Sequence, residues 1–314
     1  MSVQASPVTP RVAVGRSVQV RRFGNILERE NSLGLILMAP AVIVLLVFIA
    51  YPFLLGIWYS LTNTRIGVPG VFVGLDNFIS NAQNGIFQQT LKNTFVYTGI
   101  TTAFKLVLGM ALALLMNQHY RGRNLVRAAL LLPWIIPTAL STLAWLWIFD
   151  STYGIISWLL KSAGLIQRNI PFLGDPLLAM SSVIVVNIWR GTPFFAISLL
   201  AGLQTIPQDL YEAAAIDGAS AWQRFMKVTL PLIMPVLTIV TLFSIIWTFA
   251  DFQLIYVLTK GGPANQTHIF GTYAYQVGLN ATEIGQGAAI ALYMFPILAV
   301  FATILLIYLR KEEK

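Results

Sequence analysis

The chain has 314 residues and a formal net charge of +8, with 57% hydrophobic and only 10% charged residues. Soluble domains carry about 25% charged residues, so this depletion excludes an ordinary soluble protein and indicates an all-α protein that crosses a membrane several times. Cysteine is absent and the two histidines, His119 and His268, are far apart, which excludes disulfides and a thiol nucleophile and gives no metal-binding cluster.

Residues 1–32 are predicted to form a cytoplasmic basic arm, because they carry five arginines and few bulky apolar side chains. A short interfacial helix near residues 21–31 is compatible with this composition. The apolar run that follows, 33–61, is too long for the core of a secretory signal. At about 1.5 Å per residue it reaches roughly 40 Å, so it is predicted to be retained as a membrane span.

Hydropathy predicts a polytopic membrane domain of residues 33–314 with six transmembrane helices. The predicted spans are about 33–61, 92–117, 125–149, 178–203, 229–250 and 287–309. A shorter apolar stretch, 153–160, is predicted to be an interfacial helix rather than a seventh span.

The distribution of basic residues predicts the orientation of these spans. The arm, the turn near 118–127, the segment between the fourth and fifth spans and the C-terminal tail carry 13 Lys and Arg residues, whereas the alternate connections carry five. Cytoplasmic loops are the ones enriched in Lys and Arg. Both termini are therefore predicted to be cytoplasmic, and the membrane rather than nucleic acid explains the positive charge.

Two further basic residues, Lys105 and Arg190, lie inside predicted spans, where a charge is costly unless it is paired or hydrated. Gly191 and Pro193 are expected to break the fourth helix next to Arg190, which a membrane tolerates only inside protein or at a wet cavity. Aromatic rings beside amide, hydroxyl and guanidinium groups suit a polyhydroxylated ligand, since a ring covers the C–H face of a sugar and the polar groups bind its hydroxyls.

A second aromatic and polar cluster lies at the end of the fifth span, near the expected outer membrane boundary. The candidate substrate-pathway residues from both clusters are Asn187, Trp189, Arg190, Thr192, Trp247, Asp251, Gln253, Tyr256 and Lys105. Alternatives stay open for three of them. Arg190 can pair with Asp251 and only hold helices together, and Trp247 can be an interfacial belt residue. A structural role is favoured for Lys105, which has only threonine neighbours.

The polar segment between the fourth and fifth spans, residues 205–228, is predicted to form two short helices joined by a turn. Residues 208–216 are rich in helix-favouring alanine, and Gly218 is free to take the positive φ that ends a helix. A second helix would place Trp222 and Phe225 on one face. Such a compact unit of small and aromatic residues suits a pocket on another protein.

This segment follows the pattern E-A-A-x-x-D-G-A, then an aromatic residue and L-P-x-x-x-P. The pattern resembles the coupling motif of ABC importer permeases, which faces the cytoplasm and docks into a cleft of an ATP-hydrolysing subunit. The residues that the resemblance assigns to this docking are Glu212, Ala213, Ala214, Asp217, Gly218, Ala219, Trp222 and Phe225. The alternative is a helical hairpin that lies at the membrane surface for packing alone.

Downstream, Gly261, Gly262 and Pro263 resemble the G-G-P segment of one permease of carbohydrate ABC importers, where it borders the outer gate and the docking surface of the soluble binding protein. The resemblance runs from about residue 30 onwards and is closest to maltose-type and glycerol-phosphate-type sugar permeases. The maltose member has extra N-terminal spans and a large external insert, and contacts specific to those parts are not carried over.

The resemblance implies a type I ABC importer permease, multi-pass in the bacterial inner (plasma) membrane. It also implies four partners: a second homologous permease forming a heterodimer, two ATP-binding subunits, and a periplasmic solute-binding protein. The sequence has no G-x-x-x-x-G-K-[ST] phosphate-binding loop, so this chain is expected to be a transport subunit rather than an enzyme. No cofactor is expected in it, because ATP and Mg would bind the ATPase subunits, whose closure would drive alternating access.

Two other classes compete with this interpretation. An ion-coupled secondary transporter needs titratable groups deep in the membrane, but no carboxylate lies near the middle of a predicted span. An intramembrane enzyme lacks an H-E-x-x-H pair, paired aspartates or a serine elbow. The substrate stays open among sugars, sugar alcohols and glycerol phosphates.

Overall fold

The structure, a computed structural model, describes residues 30–312. Regular structure in this range is helical, apart from two isolated antiparallel bridges, Thr62 with Phe72 and Arg65 with Val68. Residues 1–29 of the predicted basic arm and the last two residues lie outside the described part of the chain.

Fourteen α-helices follow one another along the described residues. They are α1 Glu30–Leu45, α2 Tyr51–Ser60, α3 Asp76–Gln83, α4 Gly85–Asn117, α5 Arg123–Ile135, α6 Thr138–Ile148, α7 Ile155–Ser162, α8 Pro176–Leu203, α9 Gln208–Ile216, α10 Ala221–Arg224, α11 Leu230–Phe249, α12 Gln253–Leu258, α13 Phe270–Tyr275 and α14 Ile284–Glu312. Single π-helical turns join α1 to α2 (Leu46–Ala50) and α10 to α11 (Phe225–Thr229), and another follows α13 (Gln276–Asn280).

Five helical stretches of the described chain are long and apolar enough to cross a membrane. They are Ile36–Ser60, Gly85–Asn117, Pro176–Leu203, Ala221–Phe249 and Ile284–Arg310. Two of them begin seven or eight residues before the bounds expected from hydropathy, because polar caps set the first turn. Asn84 accepts hydrogen bonds from the N–H groups of Ile86 and Phe87, and Ser220 forms a capping box with Gln223.

The third predicted span, 125–149, differs from a straight helix. It is built from α5 and α6, which meet at an angle of 93°. The break falls at Ile136, which is extended (φ −65°, ψ 130°) because the proline that follows it disfavours the helical conformation. Counted as one broken span, this pair brings the number of candidate spans in the described chain to six.

The expected break in the fourth span is wrong. Helix α8 runs unbroken from Pro176 to Leu203 with Pro193 inside it, although a proline there removes one backbone hydrogen bond. Tertiary packing outweighs this local preference: Pro193 is buried and α8 lies directly against α4. The contact is so close that a Cβ atom on Gly191 would lie 2.5 Å from Cδ of Lys105, so the glycine makes room for the lysine.

A cluster of buried side chains marks one end of the helical core, and a pair of hydrogen bonds marks the other. At one end Met116 of α4 packs with Leu203 of α8, and Phe225 contacts the same cluster. At the other end the start of α4 is tied to the 258–270 segment, because Asn93 donates to the carbonyl oxygens of Gln266 (2.7 Å) and His268 (3.1 Å). Residues 205–228 and 258–270 therefore lie at opposite ends of the core.

Candidate functional site: a polar cavity and an exposed helical segment

A chain of buried hydrogen bonds links three helices in the interior of the core. Nζ of Lys105 in α4 donates to Oδ1 of Asn187 in α8 (2.9 Å) and to the Thr248 hydroxyl in α11 (2.8 Å). Nδ2 of Asn187 donates to the Tyr97 hydroxyl (2.7 Å), which in turn donates to Oδ2 of Asp251 (2.7 Å). Polar groups in a membrane interior are tolerated only when they are satisfied in this way, so the network fixes the relative positions of these helices.

Aromatic rings form the wall beside this network. The indole of Trp134 stacks on Phe194 with 5.1 Å between ring centroids, and Phe194 lies 5.1 Å from Trp247. The guanidinium of Arg190 lies 5.9 Å from the centre of the Trp134 ring, within the range of a cation–π interaction. Apolar faces and polar groups therefore meet on one surface.

The suggested ion pair between Arg190 and Asp251 does not form. Among the described residues the single ion pair within 4.0 Å joins Arg65 to Glu283. Asp251 instead accepts hydrogen bonds from Tyr97 and, at 3.3 Å, from Asn187. Nε of Arg190 is buried and has no hydrogen-bond partner within residues 30–312. The arginine therefore keeps donor capacity that this part of the chain does not use.

Five of the nine pathway candidates come together around one cavity of about 80 Å³. The lining consists of Lys105, Trp134, Asn187, Arg190, Gly191, Phe194, Ser244, Trp247, Thr248 and Asp251. A water molecule takes about 30 Å³ of liquid volume, so this space holds a few waters. Pockets for ligands of drug size measure about 300–1,000 Å³, so a sugar needs a wider opening than this chain alone provides in this conformation.

The other four candidates lie elsewhere. Trp189 packs edge-on against Trp145 at 5.5 Å, and the Thr192 hydroxyl donates to the carbonyl oxygen of Ile188 in its own helix. Gln253 is exposed at the start of α12, and Tyr256 stacks on Phe252 at 5.0 Å. None of these four side chains lines the cavity.

Sequence reasoning missed several residues of this site, including Tyr97, Trp134 and Thr248. A signal for them exists in the spacing. Tyr97 lies eight residues before Lys105, so both are on one face of α4. Thr248 lies three residues before Asp251, which follows the end of α11 on the same side. Polar residues at intervals of three, four, seven or eight residues within an apolar span indicate a common polar face.

The 205–228 segment has the geometry expected from its sequence. Helix α9 covers Gln208–Ile216, and Gly218 has a φ of +76° with no atom within 4 Å of where a Cβ would lie. The rings of Trp222 and Phe225 are 5.7 Å apart, and Phe225 also contacts the core cluster. This anchors one side of the short second helix while its other side stays free.

The outer face of this segment is exposed and partly apolar. Helices α9 and α10 contain no buried residue. Ile216 is 86% exposed and Trp222 68% exposed. Of the residues expected to dock, Ala214, Ala219 and Phe225 are half-buried and the rest are exposed. A rigid exposed surface that carries large apolar side chains is typical of a protein–protein contact.

The G-G-P segment at the opposite end is packed internally. Gly261 has a φ of +88°, and a Cβ atom there would overlap the imidazole ring of His268. His268 is 2% exposed, and its Nδ1 lies 3.1 Å from the Thr272 hydroxyl. Burial lowers the pKa of His268 to about 4, so the ring is neutral at pH 7.

The described residues contain no group of three His, Asp or Glu side chains placed to hold a metal ion. The arrangement offers hydrogen bonding and aromatic contact in the cavity and a docking surface at residues 205–228.

The membrane-length helices and the polar cavity between them define the class of the protein as a multi-span membrane transport component. Residues 105–312 match the family described as binding-protein-dependent transport system inner membrane component, and the chain belongs to this family.

Named relatives cover nearly the whole chain. The trehalose/maltose transport system permease MalF of Thermococcus litoralis is 36% identical over 88% of this chain and 94% of its own length. The sulfoquinovosyl glycerol transport system permease SmoG of Agrobacterium fabrum is 34% identical over 90% of both chains.

The fold is that of an ABC importer permease. The crystal structure of a bacterial ABC transporter that imports the acidic polysaccharide alginate matches with a TM-score of 0.77 and 25% identity, over 91% of this chain and 96% of that one. A second structure of the alginate transporter, with its pentasaccharide-bound periplasmic protein, matches with a TM-score of 0.75. These findings confirm the predicted inner-membrane permease and favour an ABC importer over an ion-coupled transporter.

Proposed function

We propose that this permease passes a sugar or sugar derivative along a path that includes the cavity around Asn187 and Trp247. The observation that carries the proposal is that the stacked rings of Trp134 and Phe194, with Trp247 tilted against Phe194, lie beside the unused donor of Arg190. Rings cover the C–H face of a sugar and buried donors bind its hydroxyls. The names of the relatives, which include trehalose/maltose and sulfoquinovosyl glycerol permeases, support a carbohydrate as the substrate class.

The small cavity volume favours a site completed by another chain. A second homologous permease would supply the facing half, and alternating access would widen the cavity when the two chains rock apart. A periplasmic binding protein would deliver substrate at the end that carries Gly261, Gly262 and Pro263. Thermal-shift screening of sugars on the cognate binding protein would identify the substrate.

Trp247→Ala tests the substrate path. Trp247 is half-exposed beside the cavity, whereas Trp147 is 80% exposed and lies outside its lining. We expect Trp247→Ala to raise the apparent KM for uptake of labelled trehalose, maltose or sulfoquinovosyl glycerol by about tenfold, because one ring contact with the sugar is lost. Trp147→Ala, at equal membrane abundance, is expected to transport normally. Equal KM values for both variants would contradict the assignment of the path.

For energy coupling, we propose that residues 205–228 lie on the cytoplasmic side, as do both termini, and dock into one of two ATP-hydrolysing subunits. These subunits would bind ATP and Mg²⁺, and this chain would bind no cofactor. The exposed apolar surface of Ile216 and Trp222 supports the proposal. Because the chain has no cysteine, single cysteines at Ser220 and Asn265 would report the side of each segment by labelling with an impermeant reagent.

Gly218→Val tests the docking. Valine is strained at a φ of +76°, so the turn must change although the space around it is open. We expect loss of ATPase co-purification and of uptake, with normal membrane insertion. Gly67→Val is the matched control, because Gly67 has a φ of +78° and equally open surroundings. It lies outside the 205–228 segment, so this variant should keep the ATPase subunits. Uptake by the parent should survive a protonophore, and its loss would instead indicate ion coupling.

A further inference from the structure

A basic groove lies where α4 ends and α5 begins. Its lining residues are His119, Tyr120, Arg121 and Arg123, and its volume is about 360 Å³. The groove lies at the same end of the core as residues 205–228, because Met116 and Leu203 share one buried cluster there. Neither the substrate path nor the proposed docking segment uses it.

No acidic side chain of the described residues forms an ion pair with the arginines of this groove. Arg121 and Arg123 line the groove and Arg127 follows in α5 outside its lining, while residues 77–149 contain no Asp or Glu. None of the three forms an ion pair within 4.0 Å in the described part of the chain. A concentration of unpaired guanidinium groups favours a negatively charged ligand.

Hydrogen-bond donors point to the same kind of ligand. Helix α5 begins after Gly122, which has a φ of +84° and offers no side-chain cap, so the first N–H groups of the 13-residue helix have no side-chain acceptor. Of the residues that line the groove, Tyr120 has a buried hydroxyl with no hydrogen-bond partner among residues 30–312. Arg127 donates through Nη2 to the carbonyl oxygen of Met116 (2.7 Å), which offsets the negative end of α4.

The groove sits at a membrane boundary and continues into an apolar face. The candidate spans end at Asn117 and resume at Arg123, so the turn between them lies at the level of lipid headgroups. Leu125, Leu132 and Ile135 recur along one side of α5 and are 76%, 56% and 66% exposed. A free anion gains nothing from contact with exposed leucine and isoleucine side chains, whereas an acyl chain packs favourably against them.

We propose that the groove formed by His119–Arg123 binds the phosphate of an acidic membrane phospholipid whose acyl chain lies along Leu125, Leu132 and Ile135. The arginines and the start of α5 bind the phosphate, and the ridge contacts the lipid tail. The site is separate from the sugar path, so the proposal of lipid binding does not depend on which substrate is transported.

The test uses the full chain in its transporter complex, reconstituted in phosphatidylcholine nanodiscs that contain spin-labelled phosphatidylglycerol. The motionally restricted fraction of the label measures bound lipid, with spin-labelled phosphatidylcholine as the reference. Each basic residue near an anionic headgroup contributes a factor of about five in affinity. We therefore expect Arg121→Gln to reduce the preference for phosphatidylglycerol about fivefold, and Arg121→Gln with Arg123→Gln to reduce it further.

Controls separate the site from general charge and from folding. Arg168→Gln removes an exposed arginine of another loop and is expected to leave the preference unchanged. Arg121 is exposed in a turn, so its substitution should not alter the thermal unfolding of the complex. Excess inorganic phosphate is expected not to displace the labelled lipid.

Three outcomes would overturn the proposal. The first is an unchanged lipid preference in the double variant. The second is displacement of the lipid by inorganic phosphate, which would mark a site for free anions. The third is loss of the ATPase subunits from the double variant with lipid preference intact, which would mark a protein-docking surface.

Discussion

The two ends of the helical core differ in how much of their surface packs against the rest of the chain. At the end formed by residues 258–270, the carbonyl oxygens of Gln266 and His268 accept hydrogen bonds from Asn93. The positive-φ residue Gly261 packs there against the buried ring of His268. At the end formed by residues 205–228, two short helices expose large apolar side chains and bury none of their residues. The buried groups of the first end have their partners within this chain, whereas the second end exposes apolar side chains that the rest of residues 30–312 does not cover.

This difference indicates where substitutions will act. A change at the 258–270 end should reduce the stability of the isolated chain, because it removes packing or hydrogen bonds that the fold already contains. A change on the exposed face of 205–228 should leave stability intact and affect only what docks there. The predictions below test this contrast in order of decreasing effect on the free energy of unfolding.

Gly261→Ala is expected to have the largest effect. Alanine is strained at a φ of +88°, and its Cβ atom would overlap the imidazole of His268, which is buried and unable to move aside freely. Strain and overpacking together should cost about 4 kcal/mol. Unfolding in mixed detergent micelles measures the change.

Gly67→Ala is the control for backbone strain alone. Its φ of +78° is similar, but nothing lies within 4 Å of the added Cβ atom. The expected cost is about 1 kcal/mol. Equal losses at both glycines would show that the contact with His268 contributes nothing.

The second prediction concerns acid. Burial lowers the pKa of His268 from 6.5 to about 4. At a pH between these two values, the ring is neutral in the folded chain and protonated in the unfolded chain. Its contribution to stability is therefore complete above pH 6.5 and is lost as the pH falls towards 4. The loss should be on the order of 3 kcal/mol, which follows from about 1.4 kcal/mol per pKa unit.

Unfolding free energies at pH 7.5 and pH 4.5 measure this effect. His268→Asn should flatten the pH dependence, because the ring whose pKa burial lowers is removed. An equally steep dependence in the His268 variant would assign the acid sensitivity to other groups.

The 205–228 segment was predictable from the sequence because its determinants are local. Gly218 ends one helix through its own φ, and Ser220 and Gln223 cap the next helix across three residues. The cavity was only partly predictable. Lys105, Asn187 and Thr248 come from three helices, and no local pattern shows that their side chains meet.

The same limit explains the error at Pro193. Local chemistry favours a break there, but the contact between α4 and α8 holds the helix together, and sequence alone does not show which helix lies against which. Arg190 and Asp251 also do not pair, and Oδ2 of Asp251 accepts from Tyr97 and Asn187 instead, which are contacts between helices that no local pattern shows. Residues whose roles depend on neighbours from distant parts of the chain are the ones that needed the structure.

The smallest effect on stability is expected for Ile216→Ser, although its effect on coupling should be large. Ile216 is 86% exposed at the end of α9, so its side chain loses almost no packing and the free energy of unfolding should change by less than about 0.5 kcal/mol. If an ATPase subunit covers this residue, the variant should lose about 2 kcal/mol of docking energy, as expected for a contact at the centre of an interface. Co-purification of the ATPase subunits and ATP-dependent uptake measure that loss.

Val68→Ser, 60% exposed and outside the 205–228 segment, is the matched control for removing an exposed β-branched side chain. If the two variants were alike in stability and in uptake, the exposed face of 205–228 would be an ordinary lipid- or water-facing surface, and the contrast between the two ends would carry no functional meaning.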